Sequence, residues 1–262
     1  MSNTVLTEVR GPVFIVTINR PAVRNCVDGV TTVALYEAFK QFEANDALKV
    51  AILTGADGHF CAGADLKALA VGDPEKMRHV QENNEGPMGP TRMQLTKPVI
   101  AAVSGYCVAG GIELAVWCDM RVADETAIFG VFCRRFGVPL IDGGTVRLPR
   151  IIGMGNAMDL ILTGRSVDAN EAKAMHLVNR VVPAGHALIE AEKIANQIAA
   201  FPQACMRGDR KSAYEQWGMD EHSAILNEFE HGMRTMKSGE TLAGASRFTE
   251  GMGRHGQFDA DK

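Results

Sequence analysis

The chain has 262 residues, 46% of them hydrophobic and 22% charged, with a formal net charge of −4 at pH 7. That is ample apolar material for a core and too little net charge for self-repulsion, which excludes an intrinsically disordered chain. With 27 Lys+Arg against 31 Asp+Glu there is no cationic excess to neutralise phosphates, so no nucleic-acid partner is expected.

In chain order, residues 5–9 and 13–19 are runs of strand-forming residues joined by Gly11-Pro12, which predicts an opening hairpin. After Arg20-Pro21, Leu35, Ala38, Phe39 and Phe42 recur at i, i+3, i+4 and i+7, marking a helix with one apolar face and Asp28 as its N-cap. A strand over 49–54, a Gly/Asp-rich loop over 55–65, a short helix over 66–70 and a polar, Gly/Pro-broken stretch over 72–90 follow. The next strand covers 99–103. Gly110-Gly111 opens a helix running to about Cys118, and short strands over 120–123 and 127–129 precede a second glycine-rich loop over 137–145. From Asn156 the pattern is mostly helical. Asp168 and Glu171 stand at capping-box spacing, residues 178–182 form one last strand, and Pro183 and Pro202 split the remaining helices. Strands and helices alternate, which is an α/β pattern.

Residues 99–118 carry a single charge, Glu113, and are long enough to span a bilayer. Three glycines, Pro98 at the start and the mid-run carboxylate instead predict a buried strand, a tight turn and a buried helix, so no membrane partner is expected. The six cysteines (Cys26, Cys61, Cys107, Cys118, Cys133 and Cys205) form no CxxC pair and read as thiols in a reducing compartment. Residues 1–10 hold no apolar run of signal length, and a cytoplasmic location is expected.

Several chemistries lack their residues. Gly105-x4-Gly110 is followed by Gly-Ile rather than Lys-Ser/Thr, so there is no Walker A loop, and Gly153-Met-Gly155 lacks the third glycine of a dinucleotide turn. The seven histidines show no HExxH or paired ligand spacing, so no metal is expected, and Ser104 has no GxSxG elbow around it.

Two glycine turns after strands remain. Ten of the 27 glycines lie between Gly105 and Gly164, where average usage puts roughly four. Phe60-Cys-Ala-Gly-Ala-Asp-Leu66 enters a short helix, and Gly105-Tyr-Cys-Val-Ala-Gly-Gly-Ile-Glu113 enters a longer one. Such turns leave backbone N–H groups unpaired at a helix N-terminus, where they can donate to an oxygen that develops negative charge. Read alone, either turn equally serves close helix–sheet packing. Glu113, in the first turn of an otherwise apolar helix, is expected to have a raised pKa and to act as an acid or base.

These residues resemble the crotonase, or enoyl-CoA hydratase/isomerase, family over nearly the whole chain. The match runs through Asn19-Arg-Pro21 with Asn25, Ile52-Leu-Thr-Gly55, residues 60–66, Lys97-Pro-Val-Ile-Ala-Ala, Gly110-Gly-Ile-Glu-Leu-Ala, Cys118-Asp119, Gly143-Gly-Thr145 and Leu162-Thr-Gly164. The resemblance implies an α/β fold, a ββα spiral core over 1–195 with a C-terminal helical region over 196–262 that assembles trimers, often paired as hexamers. It implies a CoA thioester whose carbonyl oxygen is held by backbone N–H groups matching Ala64 and Gly110, with no cofactor beyond the CoA moiety. Val23, Arg24, Ala62, Asp65, Leu66 and Lys67 match the CoA-lining positions, where Arg24 and Lys67 read either as point charges for phosphates or as ordinary solvated cations. The segment 248–258 resembles the family's last helix only loosely and carries no site expectation.

In the hydratases of the family two glutamates hold one water and add it across C2=C3. Glu113 matches the first, but Cys133 stands where the second belongs. A thiol has a pKa of about 8.5, so Cys133 reads either as a small buried residue or as a thiolate favoured by Arg134 and Arg135. Asp142, one position beyond the aspartate of some isomerases and hydrolases of the family, is either an alternative second carboxylate or a turn former. The expected activity is hydration of a 2-enoyl-CoA. An isomerase or hydrolase, or a thioester-binding protein with little turnover, is the alternative.

Overall fold

The computed structural model describes residues 3–72 and 85–253, so most of the 72–90 stretch and the end of the 248–258 segment lie outside the described residues. The chain divides into two units, Met1–Ile198 and Ala199–Lys262.

The first unit runs β1 (Val5–Arg10), β2 (Val13–Ile18), α1 (Gly29–Ala44), β3 (Val50–Gly55), α2 (Leu66–Val71), β4 (Val99–Val103), β5 (Tyr106–Val108), α3 (Gly110–Trp117), β6 (Met120–Asp124), β7 (Ile128–Gly130), α4 (Gly144–Thr163), β8 (Val167–Asp168), α5 (Ala169–Ala174), β9 (Arg180–Val182) and α6 (Ala187–Ala200). A six-stranded sheet has the order β1-β2-β3-β4-β6-β9, antiparallel only between β1 and β2. β2, β3 and β4 are largely apolar runs, as parallel strands covered on both faces require, β6 carries Arg121 and Asp124 among its buried residues, and the polar residues of β1 leave it an exposed edge. A second sheet joins β5, β7 and β8. Phe39 and Phe42 of α1 are fully buried, and Phe39 meets Trp117 of α3 edge-on at 4.9 Å.

Asp28 caps α1 through the Thr31 N–H, as its spacing predicts. Three expectations need correction. The run 105–110 is not one turn: residues 106–108 form β5, which pairs with β7. The 137–145 stretch is not loop throughout, because α4 already starts at Gly144, well before Asn156. Gly143, at φ 91°, turns the chain into that helix, and the glycines that read as loop are the helix entrance. The capping box at Asp168 is half made. Its carboxylate accepts the Glu171 N–H, but the Glu171 side chain pairs with Arg165 instead of reaching back.

The second unit contains α7 (Gln203–Glu215), α8 (Glu221–Ser238) and α9 (Glu240–Thr249). Asp220 caps α8 through the Ser223 N–H, and the Glu215 carboxylate meets the His231 ring at 2.9 Å. Among all described helices, none is long and apolar enough to cross a membrane.

One buried cation ties the frame of the first unit together. Lys97 is 2% exposed, and its Nζ donates to the carbonyls of Phe42, Glu43 and Asn45 at 2.9, 3.0 and 2.8 Å. At the end of α1 the Phe42 and Asn45 carbonyls accept one backbone N–H each, from Asn45 and Leu48, and the lysine adds a charged donor to them and to the Glu43 carbonyl from the entry to β4. Lys97→Met leaves all three without that donor in a buried place. The expected loss is about 3 kcal/mol of unfolding free energy, read from urea denaturation.

Candidate active site

The structure brings the two glycine turns together. Cys61 and Cys107 form an isolated parallel bridge, with the Cys61 N–H donating to Tyr106 O and the Val108 N–H to Cys61 O. The first turn runs from this bridge into α2, and the second leaves β5 for α3. The approach is close enough that a Cβ on Gly111 would stand 2.0 Å from the Cys61 carbonyl oxygen, so only glycine fits. Ala109, just before α3, adopts φ 53° and ψ −125°, a backbone region that side chains disfavour and that only surrounding structure maintains.

A cleft of about 390 Å³ opens at these turns. Ala64 and Gly110 both line it, and neither N–H donates to another group among the described residues. Two unpaired amides at one cavity wall make a site for an oxygen carrying negative charge. Val108, Glu113, Cys133 and Asp142 share the cavity.

Glu113 is 2% exposed. Its Oε1 accepts the Asp142 and Gly144 amides, both at 2.9 Å, while Oε2 makes no hydrogen bond among the described residues. Gly144 must lack a side chain, since a Cβ there would stand 2.9 Å from Glu113 Oε1. Burial pushes the Glu113 carboxyl up to about 7, helped by the Asp142 charge and opposed by the two amides and Arg147. A carboxyl titrating near neutrality beside a cleft is suited to both accepting and returning a proton.

Cys133 lies in a 3-10 segment, Phe132–Phe136, on the same cavity and is 6% exposed. Burial and the Glu113 charge push its thiol up, against the pull of Arg134. The expected thiolate-favouring pair is otherwise engaged: Arg134 Nε donates to Ile161 O, and Arg135 donates to Gly164 O and stacks 3.8 Å above the Phe132 ring. Asp142, 2% exposed, turns its Oδ1 to the Met88 N–H at 2.9 Å and to the Thr91 hydroxyl.

Arg24, Ala62 and Leu66 line the cavity, with the Arg24 guanidinium 4.7 Å above the Tyr106 ring. Val23, Asp65 and Lys67 are not on its wall. Asp65 caps α2 through the Lys67 and Ala68 amides and pairs with Arg20 at 2.8 Å. The sequence reading missed the apolar wall of Phe132, Phe136, Val138, Pro139 and Ile141. Their only signal was a loop rich in large apolar residues that no periodicity assigned to the core.

The Enoyl-CoA hydratase/isomerase family model matches residues 8–256. The enoyl-CoA hydratase EchA19 of Mycobacterium tuberculosis is 37% identical over 252 residues, covering 94% of this chain and 93% of that protein. A probable enoyl-CoA hydratase of Rhizobium meliloti is 41% identical over 207 residues, covering 78% and 79% of the two chains. A crystal structure of an enoyl-CoA hydratase from Mycobacterium tuberculosis superposes with a TM-score of 0.89 at 36% identity, covering 95% of this chain and 96% of that one.

Holding Glu113 in this place has a cost in stability. Its folded-state pKa lies above the ordinary 4.5, so the stability it contributes is fully present below pH 4.5 and is lost as pH rises to about 7. Glu113→Gln is therefore expected to unfold at higher temperature than the native chain at pH 8, by up to about 3 kcal/mol, with a far smaller gap at pH 4.5. Thermal unfolding at the two pH values checks this.

Proposed function

The chain belongs to the enoyl-CoA hydratase/isomerase family, and on that premise we propose that it hydrates a 2-enoyl-CoA to the 3-hydroxyacyl-CoA with Glu113 as its one working carboxylate. The observation that carries this reading is the buried Glu113, with Oε1 held by two amides and Oε2 left for the cleft that Ala64 and Gly110 also line.

The thioester oxygen accepts the Ala64 and Gly110 N–H groups. Ionised Glu113 takes a proton from a water as the water oxygen bonds to C3. The C2=C3 π electrons move onto the thioester oxygen, where the two amides stabilise the enolate. Glu113 then returns that proton to C2 as the carbonyl re-forms, so H and OH have crossed the double bond and the carboxylate is regenerated. Hydration moves only a proton and a hydroxyl, and it needs no cofactor beyond the CoA moiety. Cys133, whose thiol is pushed up by burial, is neutral here and serves as wall rather than second acid.

Arg24 on the cleft wall and Lys67 outside it meet CoA phosphates as point charges, Ala62 and Leu66 shape the entry, and Asp65 holds the start of α2 beside them. The apolar wall of Phe132, Phe136, Val138, Pro139 and Ile141 suits an apolar acyl group. A reading in which Asp142 shuttles the proton of an isomerase or hydrolase fits less well, because its Oδ1 is engaged by Met88 and Thr91. Exposed Ile225, Phe229, Met236 and Leu242 in the second unit support assembly as a homotrimer or a dimer of trimers.

The purified protein is expected to bleach the ultraviolet absorbance of an enoyl-CoA, with kcat/KM rising as pH passes through about 7 because Glu113 must start ionised. Glu113→Gln should lower kcat by about 10²–10⁴-fold with thioester affinity retained, and Cys133→Glu should raise it by supplying a second carboxylate. Tight thioester binding without bleaching at high protein concentration would overturn the hydratase reading in favour of isomerisation or binding alone.

A further inference from the structure

We propose that Asp142 is a positioning residue of this reaction: its main chain holds Glu113, its carboxylate holds the turn that backs Gly110, and it exchanges no proton with substrate. This rests on the hydratase reading above and assigns the second acidic residue of the cleft a task other than acid–base chemistry.

The geometry runs in two directions from one residue. Backward, the Asp142 N–H donates to Glu113 Oε1 at 2.9 Å and, with Gly144, fixes which carboxylate oxygen faces the cleft. Forward, Asp142 Oδ1 accepts the Met88 N–H at 2.9 Å and the Thr91 hydroxyl. That turn is pinned further where Thr32 of α1 donates to the Pro87 carbonyl at 2.7 Å. Met88 is fully buried with its side chain on the α-carbon of Gly110, since a Cβ there would stand 2.7 Å from the Met88 sulfur. Arg147 closes the frame by donating to the main-chain oxygens of Asp142 at 3.0 Å and Thr91 at 2.8 Å. Glu113 and the Gly110 amide thus share one support, and a shift of Asp142 moves both. Productive geometry at a reacting centre tolerates little displacement.

The charge of Asp142 also reaches Glu113. Among the described residues, the titratable and charged groups acting on Glu113 are Asp142, Cys133 from the 3-10 segment and Arg147 from α4. Of these, Asp142 is the anion that favours the protonated form of Glu113, and Arg147 opposes it. Removing the Asp142 charge while keeping its shape therefore lowers the pH at which Glu113 ionises.

Two variants separate anchor from charge. In Asp142→Asn the amide oxygen still accepts from Met88 and Thr91, but the charge is gone. The expected result is a kcat within about threefold of the native value at its optimum, with the rising limb of the pH profile displaced downward by about one unit. The protonated-carboxyl infrared band that Glu113→Gln abolishes should titrate with the same displacement. Thr91→Val keeps the charge and removes one anchor bond. It should leave the infrared titration in place and lower kcat about tenfold with KM nearly unchanged. Loss of 10²–10⁴-fold in kcat at every pH in Asp142→Asn would make Asp142 a proton-transfer group and overturn the proposal. An unmoved Glu113 titration in Asp142→Asn, or native kcat in Thr91→Val, would overturn it equally. If the native protein hydrates no enoyl-CoA, the hydratase reading fails, and the infrared titration still tests the coupling of Asp142 to Glu113.

Discussion

A carboxylate buried at the start of a helix, holding two backbone amides from another segment of the chain, is the constraint on which the rest of the site depends. Glu113 Oε1 binds the Asp142 and Gly144 N–H groups, and this bond joins α3 to the entrance of α4. The same contact forces glycine at position 144, where a side chain would strike the carboxylate. One oxygen is engaged by the two amides and the other is left beside the cleft, while burial lifts the carboxyl to about 7, the range that the proposed proton transfer requires. The stability given up above that pH is the usual exchange at a working site.

Part of the glycine excess between Gly105 and Gly164, at 110, 111 and 144, follows from the same requirement. An oxyanion is best met by amides that no helix or strand has claimed, and those occur where a strand turns directly into a helix. Two such turns must approach closely for their amides to converge, so Gly111 lies against the Cys61 carbonyl and Ala109 is held in a disfavoured conformation. In the proposed reaction backbone rather than side chain would bind the reacting oxygen, which accounts for the glycines at 110 and 111.

Around this site the first unit spends its buried polar groups on main-chain carbonyls. Lys97 satisfies the end of α1, and Arg121 donates to Leu177 O at 2.6 Å and Cys118 O at 2.9 Å near the end of α3. Each cation replaces hydrogen bonds that a short connection between packed elements leaves unmade. The frame that positions Glu113 is thus tied at helix ends, where displacement would otherwise begin.

Much of this was legible in one dimension. The apolar periodicity of α1, the Asp28 cap, the inner strands and the helix at Gly110 are local patterns, and local physics writes them directly into residue order. The family motifs, too, are contiguous, and they carried the fold and pointed to Ala64, Gly110 and Glu113, which the structure places on one cleft. β5 was hidden because a three-residue strand has no period of its own and exists only through β7, and the early start of α4 was hidden because glycines that admit Glu113 look like loop glycines. The same limit applied to Cys133 and Asp142. Residue type left each open between chemistry and structure, and what distinguishes them is partners distant in sequence: Glu113 beside the thiol, and Met88 and Thr91 on the aspartate. The sequence by itself determined the fold class and the family and placed Glu113 in the first turn of a buried helix, because those depend on contiguous residues. Only the tertiary structure decided which oxygen of that carboxylate is free and where the second acid points, because hydrogen bonds between segments follow distance in space and not order along the chain.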